Sequence, residues 1–477
     1  MENPFQPVQL ALLLLCHLLS WGAAGHAVLT KRDPRSALGW SATLLFLPVV
    51  GLLLYLLFGI SRTQSAAQRM MRKLAGGEPY VPLDGVEAQR PGGIPAQAVL
   101  LERLGRRLTG QELCGGNSIE PLRNGNEAYP AMLHAIHTAR RHVYLSTYIF
   151  AHGSTAEAFC EALALAAARG VDVRVLVDGF GGRFYSLRRP WAHLPRRGVR
   201  VAQFLPLQFF PPKLCINLRT HRKLLVCDAE AFTGGMNISD QHVLSGRKSD
   251  VQDMQFRCRG PIVDRLLRAF LLDWGFALGR TERPLPPALP VAPAGDSLCR
   301  MVLDGPDSDA DTINDLMAGA ISGATRSVHI MTPYFLPSHE LMTSLRSAAQ
   351  RGLDVRVILP ERNNLPYVHW ATFRLLPSLL RAGVRVWYQP PPFAHTKLLA
   401  VDGCYAQIGS ANLDARSLRL NFELNMEVFD PHFHDLLVRH MEDAMRRGRE
   451  MTLARLASRS MPLRLRDAAC WLFSPYL

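Results

Sequence analysis

The stretch His221-Arg222-Lys223-Leu224-Leu225-Val226-Cys227-Asp228 sets an imidazole, an ammonium and a carboxylate around a short apolar run. The pattern returns as His395-Thr396-Lys397-Leu398-Leu399-Ala400-Val401-Asp402. On an extended backbone residues two apart share a face, so His221 projects with Lys223 and His395 with Lys397. An imidazole beside a fixed ammonium suits a phosphate ester: lysine neutralises the oxygens while neutral histidine approaches phosphorus as a nucleophile. One histidine cannot also protonate the leaving group from the opposite side. Two copies brought face to face by a pseudo-twofold arrangement can, which is a reason for writing the motif twice. One copy is a weak signal; two at matching places in a repeat are a strong one. The ammonium beside each imidazole argues against a metal at this site.

The turns after the motifs add donors. Thr233-Gly234-Gly235-Met236-Asn237 and Ile408-Gly409-Ser410-Ala411-Asn412 offer backbone N–H groups, the Ser410 hydroxyl and the amides of Asn237 and Asn412 to phosphate oxygens. Each histidine also needs a carboxylate to set its tautomer. Asp253 in the first half and Glu423 in the second are the candidates. Asp228 and Asp402 complete the catalytic motifs, and their places at the far ends suit anchoring a loop better than touching substrate. His134, His137, His242 and His329 read as surface or core residues.

The elements that must hold these groups repeat as well. Val143–Tyr148 reads as a strand followed by a helical run, then Arg169-Gly170-Val171-Asp172-Val173-Arg174; Val328–Tyr334 is followed by another helical run and Arg351-Gly352-Leu353-Asp354-Val355-Arg356. Gly198-Val199-Arg200-Val201 answers Gly383-Val384-Arg385-Val386. Strands alternating with helices, with four landmarks in the same order, predict a duplicated α/β domain with a pseudo-twofold arrangement. The expected domains are 95–280 and 296–477, joined by a linker at 281–295 carrying Pro284, Pro286, Pro287, Pro290 and Pro293. Ahead of them, 1–73 reads as a membrane hairpin. Helices at about 8–29 and 37–60 are each long enough to cross hydrocarbon, with Pro48 kinking the second. MENPFQ lacks the positive charge of a signal peptide. Arg62, Arg69, Arg72 and Lys73 slightly outweigh Lys31, Arg32 and Arg35, which places the catalytic part on the cytoplasmic side.

Composition agrees with an anionic partner. The net charge is +14, and of 54 basic side chains only six are lysine, so Lys223 and Lys397 are conspicuous. Nine scattered cysteines without a C-x-x-C pair suit a reducing compartment.

With both motifs placed, the chain resembles the phospholipase D superfamily, whose hallmark is a duplicated H-x-K-x-x-x-x-D, and within it the bacterial cardiolipin synthases. The N-terminal hairpin, Asn412-Leu413-Asp414-Ala415-Arg416-Ser417, Asn421-Phe422-Glu423 and the ending Leu472–Leu477 carry that narrower likeness. The resemblance implies a ping-pong transfer without cofactor, metal or nucleotide. One histidine takes the phosphatidyl group of phosphatidylglycerol, glycerol leaves, and a second phosphatidylglycerol accepts it, giving cardiolipin. Carried over, His221 is the nucleophile and His395 the acid, then base. Gly235 departs from the serine common at its place. The implied location is the bacterial inner membrane, multi-pass, among anionic lipids; no protein partner is inferred. A phospholipase giving the phosphatidyl group to water, transfer to another alcohol, and a nuclease using the arginine excess are the alternatives. The hairpin argues against the nuclease and against nucleic acid as a partner. The apolar Phe204–Pro212 stretch and the tail from Leu463 read as bilayer contacts or as a packed loop and a docked helix.

Overall fold

The structure, a computed structural model, describes residues 6–31, 34–59, 98–184, 188–206, 208–209, 212–213, 218–279, 291–305 and 311–474. The chain divides into two compact units, Met1–Ala66 and Ala67–Leu477.

In the first unit one helix runs Gln6–Thr30, and its Leu10–Thr30 part is long and apolar enough to cross a membrane. The expected second segment, about 37–60 with its kink at Pro48, falls on Pro34–Gly59. It forms two shorter helices, Pro34–Phe46 and Pro48–Leu54, followed by a wider π-type turn at Tyr55–Gly59. Pro48 has no N–H to continue the helix ladder, so the break falls at Leu47. Its carbonyl instead accepts the Ser20 hydroxyl at 2.8 Å, and His26 meets the Tyr55 hydroxyl at 2.7 Å, tying the two arms together. Arg62, Arg69, Arg72 and Lys73 and most of the proline linker lie outside the described residues.

In the second unit a single fifteen-stranded sheet runs through both halves. The strands are β1 (Cys114–Arg123), β2 (His142–Thr147), β3 (Asp172–Asp178), β4 (Arg200–Phe204), β5 (Leu224–Cys227), β6 (Glu230–Gly234) and β7 (Met254–Arg259) in the first half. The second half supplies β8 (Ser297–Asp304), β9 (Ser327–Met331), β10 (Asp354–Pro360), β11 (Arg385–Gln389), β12 (Leu398–Val401), β13 (Tyr405–Gly409), β14 (Glu423–Phe429) and β15 (Arg449–Met451). Their order is β15-β11-β10-β9-β12-β13-β14-β8-β1-β7-β6-β5-β2-β3-β4. Apart from β15 it reads the same from both ends once β1 is matched to β8, β7 to β14 and so on outward. The pseudo-twofold therefore sits at the antiparallel β1/β8 seam, where Cys114 faces Cys299 and Asn117 faces Ser297. A bulge loosens that seam, and the Asn117 amide bridges it, donating to Cys114 O at 2.7 Å and Ser297 O at 3.1 Å.

The apolar motif runs become β5 and β12, buried throughout. Each lies between the parallel strands and an antiparallel hairpin, flanked on both sides by hydrogen-bonded neighbours. Two equivalent helices, Ile262–Leu278 and Pro431–Arg447, contribute to a core shared by both halves. Two further cores lie one within the first half and one in the second, and the second also takes Ala98, Leu113 and the helix Val99–Thr109 from the start of the first half. The tail forms a helix, Met461–Leu472, whose Trp471 and Arg466 dock on Arg374 and Trp370, while Leu465, Leu472 and Phe473 stay exposed. Parts of the Phe204–Pro212 stretch and Pro475–Leu477 lie outside the described residues.

Candidate active site

Each motif histidine leaves its own half to find a carboxylate. His221 donates its backbone N–H to Phe422 O at 2.9 Å, and Phe422 returns its N–H to Arg219 O at 2.8 Å. That exchange sets Glu423 beside the imidazole, Nδ1 to carboxylate oxygen 3.0 Å. On the other side Val251–Gln252 pairs in parallel with Phe393–Ala394, and His395 N–H reaches Gln252 O at 2.7 Å. Asp253 then meets His395 Nδ1 at 2.8 Å. So the two orienting acids proposed from the sequence serve the histidine of the opposite half. A short strand-like exchange across the halves does the positioning, which no pattern within one half displays.

With Nδ1 facing a carboxylate, the proton sits there and Nε2 keeps its lone pair for chemistry. Burial, together with the lysines, holds both imidazoles below their ordinary range: His221 to about 4 and His395 to about 3. Both are neutral in the resting protein. Burial also lowers Lys223 to about 7 and Lys397 to about 8. Lys397 contributes to the shifts of His221 and Lys223, and Lys223 to that of His395, so the two motifs share one electrostatic site. Burial would raise the two carboxyls, but Lys397 and His395 hold Asp253 far below its usual range, and His221 and Lys223 hold Glu423 below its own. The arrangement is a pair of neutral nucleophile-or-base imidazoles, each carboxylate-backed, with two ammonium groups poised for an anion.

The lysines are anchored by backbone. Lys223 Nζ donates to His221 O at 2.7 Å, and Lys397 Nζ to His395 O. Lys397 Nζ also lies 3.1 Å from His395 Nε2.

Ser410 is corrected. Its hydroxyl donates to Glu423 Oε2 at 2.6 Å and accepts from Leu424 N at 3.0 Å, so it steadies the carboxylate rather than offering itself to phosphate. At the equivalent Gly235 a Cβ would lie 2.6 Å from both Asp253 oxygens. The halves thus use two matched pairs, a long acid with serine and a short acid with glycine, which explains the departure at 235.

Asn237 accepts Ile149 N–H at 3.2 Å through Oδ1. Asn412 turns its NH2 to Ser417 Oγ at 3.1 Å, and its Oδ1 is buried without a partner among the described residues.

Asp228 and Asp402, grouped with the catalytic motifs, are structural anchors. Asp228 accepts the N–H groups of Arg140, Arg141 and His142 at 2.7–3.0 Å; Asp402 accepts those of Thr325, Arg326 and Ser327 at 2.7–3.0 Å. Both occupy left-handed backbone, φ 48° and 55°, at the turn out of the motif strand. Every carboxylate oxygen is spent on pinning the loop that opens β2 or β9.

Residues the sequence reading passed over complete the walls. Tyr148 meets His221 edge-on at 5.4 Å, and Lys223 Nζ lies 5.7 Å from its ring centre. Tyr334 stands edge-on to His395 at 6.2 Å and hydrogen-bonds Asn364 at 2.8 Å. The signal was present: Thr147 and Thr332 close the same turn, through Ile149 O and Tyr334 O, at the ends of β2 and β9. Arg222, between His221 and Lys223, faces the other way and is buried against Glu423 O at 2.9 Å and Asp273 at 2.5 Å.

Comparison with known proteins matches this geometry. The family model "Cardiolipin synthase, PLD-like domain" fits residues 132–274 and again 317–445. "Phospholipase_D-nuclease N-terminal" fits 10–59. The major cardiolipin synthase ClsA of Bacillus subtilis is 31% identical over 461 residues, covering 94% of this chain and 95% of that protein. Cardiolipin synthase A of Pseudomonas putida (strain GB-1) is 33% identical, covering 92% of each. Among solved structures, phosphatidylserine synthase of Haemophilus influenzae superposes with TM-score 0.61 at 16% identity, over 79% of this chain and all of that one, a likeness of fold. The N-terminal match and the apolar helix associate the chain with a membrane. Two family matches on two halves and relatives spanning nearly the whole length leave one assignment: the chain belongs to the cardiolipin synthase family of phosphatidyltransferases, within the phospholipase D superfamily.

Proposed function

We propose that the chain joins two phosphatidylglycerol molecules into cardiolipin and glycerol. The observation that carries the mechanism is the crossed pairing, His221 with Glu423 and His395 with Asp253, each beside a buried lysine. A phosphodiester anion entering between Lys223 and Lys397 restores their full charge and favours a protonated His395. Nε2 of His221 attacks phosphorus and the P–O bond to glycerol breaks. His395 gives its Nε2 proton to the departing oxygen. The phosphatidyl-histidine keeps the phosphodiester's bond energy, so no activated donor is needed. His395, now neutral, takes the proton of the incoming hydroxyl as that oxygen attacks phosphorus and frees His221. Asn237 and Asn412 contribute to phosphate binding through their amides. The active unit faces the cytoplasm of a bacterial inner membrane, anchored by the N-terminal hairpin.

Purified full-length protein in mixed micelles with phosphatidylglycerol alone tests this reading. Cardiolipin and free glycerol in equal amounts are expected. Phosphatidic acid as the main product would replace it with the phospholipase reading. Turnover is expected to survive chelators, because the two ammonium groups supply the charge that a metal would bring.

A further inference from the structure

The pseudo-twofold breaks on the face of the motif strands turned away from the histidines. In the first half that space is full. Arg222 donates to Glu423 O, Asp273 and Asp304 O, and lies over Phe422 at 5.6 Å. Phe422 in turn packs with Phe204 and Phe276 at 5.0 and 5.4 Å. The offset of 170 residues that relates Asp253 to Glu423 also relates Gln252 to Phe422, Asp273 to Asp443 and Phe276 to Arg446. Thr396 stands where Arg222 does, Gln389 ends β11 as Phe204 ends β4, and Asn124 follows β1 as Asp304 ends β8.

In the second half, then, the arginine plug is a threonine and its three-ring packing is Gln252, Gln389 and Arg446. The space stays open: a cavity of about 470 Å³ lined by these residues and by Arg123, Arg447 and His440. Asp443 carries the only carboxylate there apart from Asp253, and Arg446 and the Arg447 Nε already bond its side chain and carbonyl. The Arg123 guanidinium has no carboxylate partner among the described residues. Inside, the Gln389 side-chain oxygen is buried and unpartnered among them, on a residue only 5% exposed. Arg446 and Arg447 also suit the negative end of their helix, but that role needs neither a cavity nor Arg123 from the other half.

We propose that this cavity is a second anion site, for a phosphorylated polyol such as a phosphoglycerol group. The arginines at the rim take the phosphate, and a hydroxyl donates to Gln389 inside. Its floor is Gln252 and Asp253, the pair that holds His395, so occupancy reports directly to the catalytic imidazole. Two sources share this chemistry, a lipid headgroup and free glycerol phosphate.

The test is calorimetric titration of the full chain in detergent micelles with glycerol 3-phosphate, which does not depend on turnover or on the acceptor. Wild type is expected to show two sites. Arg123→Gln with Arg447→Gln should weaken one of them roughly tenfold or more and leave the melting temperature unchanged, whereas Lys223→Ala with Lys397→Ala should remove the other. Thr396→Arg, seated on Asp443 as Arg222 is on Asp273, should close the arginine-dependent site. If the arginine pair variant keeps both sites, or the lysine pair variant loses both, the proposal is wrong. Rates on phosphatidylglycerol micelles identify the source. A higher half-saturating lipid concentration in the arginine variant marks the headgroup; a wild-type rate altered by added glycerol phosphate, with the variant indifferent, marks the free ester.

Discussion

Glu423 holds Nδ1 of His221 at 3.0 Å across 202 residues of chain and from the opposite half of the sheet. Asp253 does the same for His395 at 2.8 Å. Neither half has a complete histidine without the other, so each acid substitution should act on the histidine across the seam.

Glu423→Gln is therefore expected to behave like a lesion at His221. Losing the carboxylate frees the tautomer and removes charge behind the imidazolium, for about 10²–10⁴-fold in turnover. Formation of the covalent adduct should fail in the same proportion. Asp253→Asn should instead spare adduct formation from a substrate whose leaving group needs no proton. Rapid-quench mass spectrometry of both variants decides; the reverse pattern would mean that the nucleophile is His395.

The histidines themselves separate in the same assay. His221→Ala should give no adduct at all. His395→Ala should still label from the activated substrate while losing most transfer from phosphatidylglycerol. The double variant should be little slower than either single one, because both act in one step. Additive losses would show that they do not.

Gly235→Ser is expected to slow turnover, since its Cβ would press on both Asp253 oxygens at 2.6 Å and tilt the carboxylate off His395. Adding Asp253→Glu rebuilds the Ser410–Glu423 arrangement, and should recover part of the rate. A neutral Gly235→Ser, or a double variant worse than the single, would refute the matched-pair account.

The lysines set the alkaline limit. Burial lowers Lys223 to about 7 and Lys397 to about 8, so their charge is full below those values and lost as pH rises through them, far short of the ordinary lysine range. The half-saturating lipid concentration should climb above about pH 7, while the maximal rate falls at higher pH because bound phosphate keeps the ammonium protonated. Lys223→Arg, which retains charge, should flatten the first rise. A concentration flat to pH 9 would remove the lysines from phosphate binding.

Much of this was legible in the sequence. The duplicated motif, the landmark strands and both orienting acids could be read because each depends on local pattern: apolar alternation, glycine turns, a carboxylate after a strand. What could not be read was which partner crosses. His221 meets Glu423 through a backbone exchange at Thr220 and Phe422 that carries no side-chain signature. Ser410 was misplaced for the same reason, since a hydroxyl near a site does not say which acceptor it faces. The break in the second apolar segment was legible because proline at 48 has no N–H to give, whereas the wider turn at Tyr55–Gly59 has no such marker.

The antiparallel meeting of β1 and β8 has a consequence for heredity. Were this body assembled from two identical chains, any substitution would strike both histidines alike, and donor and acceptor roles could never drift apart. Written end to end in one polypeptide, the copies mutate independently. Arginine at 222 against threonine at 396, and glycine at 235 against serine at 410, are differences at matching positions that only a single joined chain can hold.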